Sequence, residues 1–109
     1  MADPVMDKIR SLILKNKIII FMKGDRLMPM CGFSAAVVEV FEELGVPFET
    51  VDVLQDSAMR EKVKLYSNWP TIPQVYIDGK FIGGCDIVRE LHDRGELKPL
   101  TRAANASNG

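Results

Sequence analysis

The sequence is poor in cysteine and histidine. Its 109 residues hold two cysteines, Cys31 and Cys85, and one histidine, His92. Two thiols cannot build the disulfide framework of a small secreted domain. Nor can they supply the four protein ligands of a structural zinc site. Long hydrophobic runs are lacking too. The longest, Ile18-Ile19-Ile20-Phe21-Met22, has five residues, against the ~20 that cross a bilayer. Nothing ahead of it reads as a cleavable signal. Neither sign of charge predominates, with 14 Lys+Arg against 15 Asp+Glu and a formal net charge of -1. That balance argues against nucleic acid or a membrane as the main partner. What remains is an ordinary globular composition, 47% hydrophobic, at about one domain's length. The expectation is a soluble chain of a reducing compartment. That is the cytoplasm, or the mitochondrial matrix or another organelle after removal of a transit peptide.

The apolar pattern supplies the elements. Asp3-Pro4 is a helix start, and Val5, Met6, Ile9, Leu12 and Ile13 recur at helical spacing over about residues 4–15. Lys17 to Met22 is β-branched and apolar at its centre, the pattern of a strand buried on both faces. Asp25 to Met30, with Pro29, reads as a loop. Phe33, Ala36, Val37, Val40, Phe41 and Leu44 then mark one helix face, closed by Gly45 and Pro47. Phe48 to Val53 reads as a second strand, and Ser57 to Tyr66 as a third helix with Met59, Val63 and Tyr66 on one side. After a proline-rich turn, Val75-Tyr76-Ile77, Asp78-Gly79 and Lys80-Phe81-Ile82 form a hairpin signal. Asp86 is placed to cap a last helix, Ile87 to Arg94, stopped by Gly95. The order α-β-α-β-α-β-β-α predicts an α/β fold, a small four-stranded mixed sheet with helices on both faces. Residues 1–102 make a single domain in this reading, and 103–109 a frayed, disordered tail.

Cys31 draws attention by position. It follows a buried strand and opens the longest helix, and ligands of open α/β sheets bind at the carboxyl ends of strands. Backbone N–H groups and the helix dipole stabilise a thiolate there, lowering a thiol pKa from ~8.5 to ~3.5–7.5. Lys23 and Arg26 lie in the same loop system and add positive charge. A buried cysteine acting as a small hydrophobe is the alternative. Cys31 stands before the apolar periodicity begins rather than within it, which favours reactivity. Two residues on, a dithiol enzyme has a second cysteine to resolve a mixed disulfide. Here the run is Cys31-Gly32-Phe33-Ser34, and a serine resolves nothing. The thiolate therefore awaits an external thiol or serves as a metal ligand.

This run, with Met22-Lys23-Gly24 upstream, resembles the active-site segment of monothiol glutaredoxins of the CGFS type. The similarity continues through Trp69-Pro70-Thr71-Ile72-Pro73-Gln74 and Gly83-Gly84-Cys85-Asp86, spanning roughly residues 6 to 100. Any one motif alone recurs by chance, whereas three in the same order at matching intervals are specific. The family commonly has a proline shortly after Met-Lys-Gly, where this chain has Arg26, and Met30 sets a bulky apolar group before the cysteine. The resemblance implies a thioredoxin-like fold and a glutathione site. It places Lys23 near the ligand's thiol and carboxylate, and Arg60 with its glycine carboxylate; a solvated helix face is the alternative for Arg60. It implies a cis bond at Ile72-Pro73, with the backbone of Ile72 pairing with the tripeptide, against an ordinary trans turn. Cys31, Gly32, Phe33 and Thr71 belong to the same implied site. Trp69 stacks near the site or supports the core. Gly84, Cys85 and Asp86 hold the γ-glutamyl end, unless Asp86 is a bare helix cap. Cys85 is structural or pairs with Cys31 on oxidation, and His92 is a surface residue.

Two functions follow from the resemblance. The first is a carrier of a [2Fe-2S] cluster, which needs four ligands. Cys31 from each of two chains and one sulfur from each of two glutathiones would provide them. The holo form is then a homodimer and the apo form a monomer, with BolA-family proteins and apo iron-sulfur proteins as partners. The second is a glutathione-dependent thiol–disulfide oxidoreductase working through Cys31 alone, chiefly in deglutathionylation. An adaptor of the same fold without chemistry is the third and blandest reading.

Overall fold

The computed structural model describes residues 3–106. Its first helix, α1, runs Pro4–Lys15 and is capped by Asp3, whose carboxylate accepts from the N–H groups of Val5 and Met6. Strand β1 follows, Ile18–Met22, then α2, Gly32–Leu44, and β2, Glu49–Asp52. A single 3-10 turn over Val53–Gln55 leads to α3, Ser57–Ser67. Strands β3, Gln74–Ile77, and β4, Lys80–Gly83, form the hairpin, and α4, Cys85–Asp93, and α5, Leu97–Ala106, complete the chain. Among the described residues no helix is long and apolar enough to cross a membrane.

The four strands form one sheet in the order β2-β1-β3-β4. β1 runs parallel to β2 and antiparallel to β3, and β3 is antiparallel to β4. β1, one of the two inner strands, is buried at every position, and its period of two divides the core. Ile18, Ile20 and Met22 join Val37, Phe41, Val88 and Leu97 on one side of the sheet. Ile19 and Phe21 join Ile9, Ile13, Met59 and Val63 on the other. The apolar run read as a two-faced strand is that strand, and its C-terminal end delivers the chain to Cys31. Gly45 ends α2 in the left-handed conformation at φ 67, and Asp78-Gly79 turns the hairpin with φ 53 and 81.

Three expectations need correction. Residues 103–109 are not all tail: α5 continues through Ala106, with Leu97, Thr101 and Ala104 buried. That stripe is spaced helically, but threonine and alanine carry too little apolar signal to reveal it. Pro99 sits in the first turn of α5, where its missing N–H has no intrahelical partner to lose. The remainder of the expected tail, 107–109, lies outside the described residues. Asp86 is not the cap of α4; Gly84 is, and Asp86 lies within the first turn. Phe33 does not join the helix face that faces the core and is 65% exposed. Asp25 to Met30 is the expected loop, outside any helix or strand, and is closed as a tight turn. Asp25 and Met28 exchange backbone bonds, Met30 N–H donates to the Lys23 carbonyl, and the Asp25 carboxylate accepts from Leu27 and Met28.

Candidate functional site

Cys31 is the N-cap residue of α2, half-buried and in the extended conformation. Its sulfur lies 3.3 Å from the Ser34 N–H and 3.2 Å from the Ser34 hydroxyl. Ser34 is itself fully buried, and its oxygen accepts the Lys23 N–H at 3.1 Å. The serine proton is thereby left to point at an ionised Sγ. Burial opposes ionisation of Cys31, but the Ser34 hydroxyl, the N–H groups of Ser34 and Phe33 and the charge of Lys23 outweigh it. The thiol is held below the ordinary cysteine value. Ser34, read from sequence only as an absent resolving cysteine, thus supports the thiolate. Arg26 does not share in this. Its guanidinium turns to Glu42 at 2.8 Å, to the Phe48 carbonyl, and over the Phe48 ring at 3.9 Å.

A Ser34→Ala chain accordingly keeps its fold and loses one of the groups that favour the thiolate. The pH midpoint for alkylation of Cys31 is expected to move up toward the ordinary thiol value, with slower labelling at neutral pH. An unchanged midpoint would remove Ser34 from the site.

Beside Cys31 opens a cleft of about 430 Å³, within the size range of small-molecule sites. Of the residues singled out from sequence, Lys23, Phe33, Arg60, Trp69, Thr71, Ile72, Pro73, Gly84, Cys85 and Asp86 all line it. Cys31 and Gly32 do not line it; they precede Phe33, which does, and the charge of Cys31 acts on Cys85, another lining residue. Lys64, Pro70 and Ile87 also line the cleft and were not foreseen. The signal for Lys64 was its place four residues after Arg60, on the same helix face.

The cleft is electrically asymmetric. Lys23, Arg60 and Lys64 bring cations to it, while Asp86 brings the carboxylate. The N-terminus of α4, at Gly84, has no side chain capping its N–H groups, which leaves them to favour an anion. Two buried donors on the cleft have no partner within the described residues: Nε of Arg60 and Nε1 of Trp69. Buried donors are nearly always satisfied, so these two stand out among the residues that line the cleft. At Gly84 an added Cβ would come within 3.2 Å of the Pro73 carbonyl and 3.4 Å of Trp69 Nε1. Glycine keeps that corner of the cleft open. The Ile72-Pro73 bond is cis. Trp69 is half-buried and packs on Phe81 with ring centres 5.6 Å apart, so it supports the core and lines the site at once.

Cys85 is buried and its thiol free. Burial pushes that thiol up and outweighs the opposing influence of Arg89, while the charges of Asp86 and Cys31 add smaller upward effects. The two cysteines are therefore unlike: one is tuned to ionise and the other to stay protonated. His92 pairs with Glu43 at 3.0 Å, joining α4 to α2 away from the cleft.

Comparison with known proteins agrees with this geometry. The Glutaredoxin family model matches residues 18–82. A monothiol glutaredoxin of Synechocystis sp. is 54% identical over 100 residues, covering 92% of this chain and 94% of the relative. The solution structure of reduced apo GrxS14 from poplar superposes with a TM-score of 0.82 at 42% identity, over 93% of each chain. The crystal structure of a buckwheat glutaredoxin–glutathione complex superposes with a TM-score of 0.84 at 30% identity, over 94% of this chain and 91% of the other. With its thioredoxin-like sheet, its single thiol at the head of α2 and a serine where a second thiol would stand, the chain belongs to the glutaredoxin family, in its monothiol branch.

Proposed function

We propose that this glutaredoxin binds glutathione in the cleft and carries a [2Fe-2S] cluster between two copies of itself, delivering it to apo iron-sulfur proteins. Glutathione offers two carboxylates, an ammonium and a thiol. The residues of the cleft suit those groups: Lys23, Arg60 and Lys64 for carboxylate, the open N-terminus of α4 for the other carboxylate, and Asp86 for the ammonium. The unpartnered Arg60 Nε and Trp69 Nε1 are donors in want of an acceptor. A buckwheat relative has been crystallised as a complex with glutathione, which supports the same ligand here.

The observation that carries the cluster reading is the solitary, ionisable Cys31. Among the described residues no three His, Cys, Asp or Glu side chains gather as a metal-ligand set. A cluster with four ligands must then draw on a second chain and on the glutathione thiols. Exchangeable small-molecule ligands favour release, as a carrier requires. In this proposal the holo form is a homodimer, the apo form a monomer, and a BolA-family protein is a partner, in a reducing compartment such as the cytoplasm.

The lowered thiol of Cys31 also supports a second activity. Its thiolate would attack the glutathionyl sulfur of a mixed disulfide, forming a Cys31–glutathione disulfide and releasing the protein thiolate. A second glutathione thiolate would then attack that bond, yielding oxidised glutathione and free Cys31. Reconstitution with iron, sulfide and glutathione separates the two. The carrier predicts visible absorption that requires glutathione, a doubled mass, and a colourless monomer for Cys31→Ser. A colourless wild-type protein that reduces mixed disulfides rapidly would instead make it an oxidoreductase.

A further inference from the structure

One wall of the cleft, Trp69 to Pro73, belongs to no helix or strand. It lacks the backbone ladder that normally sets such a shape. A side chain stands behind it instead. Gln74 is fully buried, although glutamine is mostly an exposed residue. Both hydrogens of its amide are used on the wall: Nε2 donates to the Trp69 carbonyl at 3.1 Å and to the Thr71 carbonyl at 3.2 Å. Its oxygen accepts from the Tyr76 hydroxyl at 3.1 Å.

These contacts leave the amide one orientation. The Tyr76 phenol can donate only to the oxygen end, so the NH2 end must face the two carbonyls. Burial pushes that phenol up to about 12, so it stays a donor throughout the neutral range. One amide thus spans two carbonyls two residues apart and sets the bend between Trp69 and Thr71. On the other side of the same segment, the Trp69 N–H is taken by Ser67 Oγ at 3.1 Å.

We propose that Gln74 is a positioning residue for the ligand cleft: its side-chain amide, oriented by Tyr76, shapes the Trp69–Pro73 wall and thereby sets the affinity for glutathione. The affinity part rests on the glutathione reading above, whereas the shaping of the wall does not. Gln74 touches no ligand and works through Trp69 and Thr71. An apolar residue of similar length would fill the same space while leaving those carbonyls without their donor.

Gln74→Met makes that exchange. Trp69 is the only tryptophan, so its emission reports on the wall without a label. In Gln74→Met the Trp69 emission of the free protein is expected to shift, and calorimetry to show glutathione bound about tenfold more weakly or worse. Tyr76→Phe keeps the ring packing and frees the amide to turn. It should move emission in the same direction with a smaller affinity loss, and it serves if Gln74→Met does not fold. A variant that melts lower but keeps wild-type emission and affinity would make Gln74 a core filler and overturn the proposal. Should the wild-type protein bind no glutathione, that reading fails by itself, and the emission comparison still decides whether Gln74 shapes the wall.

Discussion

A Gly24→Ala chain is expected to lose on the order of 3 kcal/mol of stability and to titrate Cys31 closer to an ordinary thiol. Gly24 has φ +85, and a Cβ there would lie 2.4 Å from the Met28 carbonyl oxygen and 2.6 Å from the Met30 nitrogen. Both neighbours are backbone atoms of the turn that returns the chain to Cys31, so neither can swing aside. The turn is tied on every side. Gly24 pairs with Pro29 as an isolated bridge, its N–H donates to the Asp52 carboxylate at 2.9 Å, and Met30 N–H closes on the Lys23 carbonyl at 2.8 Å. Opening it displaces Lys23, whose N–H orients the Ser34 hydroxyl against the sulfur. The two losses are therefore coupled. A melting temperature lower by about 10 °C or more, together with an upward shift of the alkylation midpoint, is the expected pair. Melting within a degree or two of wild type would show that the turn re-forms around the methyl group.

The same turn marks where sequence reading reached its limit. Elements governed by local period were legible. The five apolar residues of β1, the Asp78-Gly79 turn and the Gly45 stop stand where the pattern put them. Residues of the cleft were legible through three motifs, because the chemistry of a small ligand fixes residue types at short spacings. What escaped depends on contacts between distant segments. Arg26 reads as a loop cation near Cys31, but Glu42 and the Phe48 ring lie across the loop and capture it. Ser34 reads as a deficit, yet its burial against Lys23 makes it a partner of the thiolate. The helix α5 escaped because its buried stripe is Leu97, Thr101 and Ala104, small residues set behind a proline. Gln74 closes a motif in sequence, and only the fold turns its amide back onto Trp69 and Thr71.

Arg60 gives the sharpest separation between a surface cation and a ligand contact. On a solvated helix face its replacement changes little. Here its Nε is buried and unpartnered among the described residues, on the wall of the cleft. If it awaits a carboxylate, Arg60→Ala removes a charge-assisted hydrogen bond of about 1.5–3 kcal/mol. That corresponds to roughly ten- to a hundredfold weaker glutathione binding. Lys23 and Lys64 remain in the cleft and keep the loss from being total. Stability should move the other way or stay level. The substitution relieves an unsatisfied buried donor, and alanine is the better residue within α3. Arg60→Lys, which keeps the charge without the planar fork, should fall between the two. Calorimetric titration with glutathione beside thermal melting gives both readouts. Weaker binding with undiminished melting temperature is the signature of a group held for its ligand. Affinity equal to wild type in Arg60→Ala would return Arg60 to the solvated face and take the carboxylate contact out of the site.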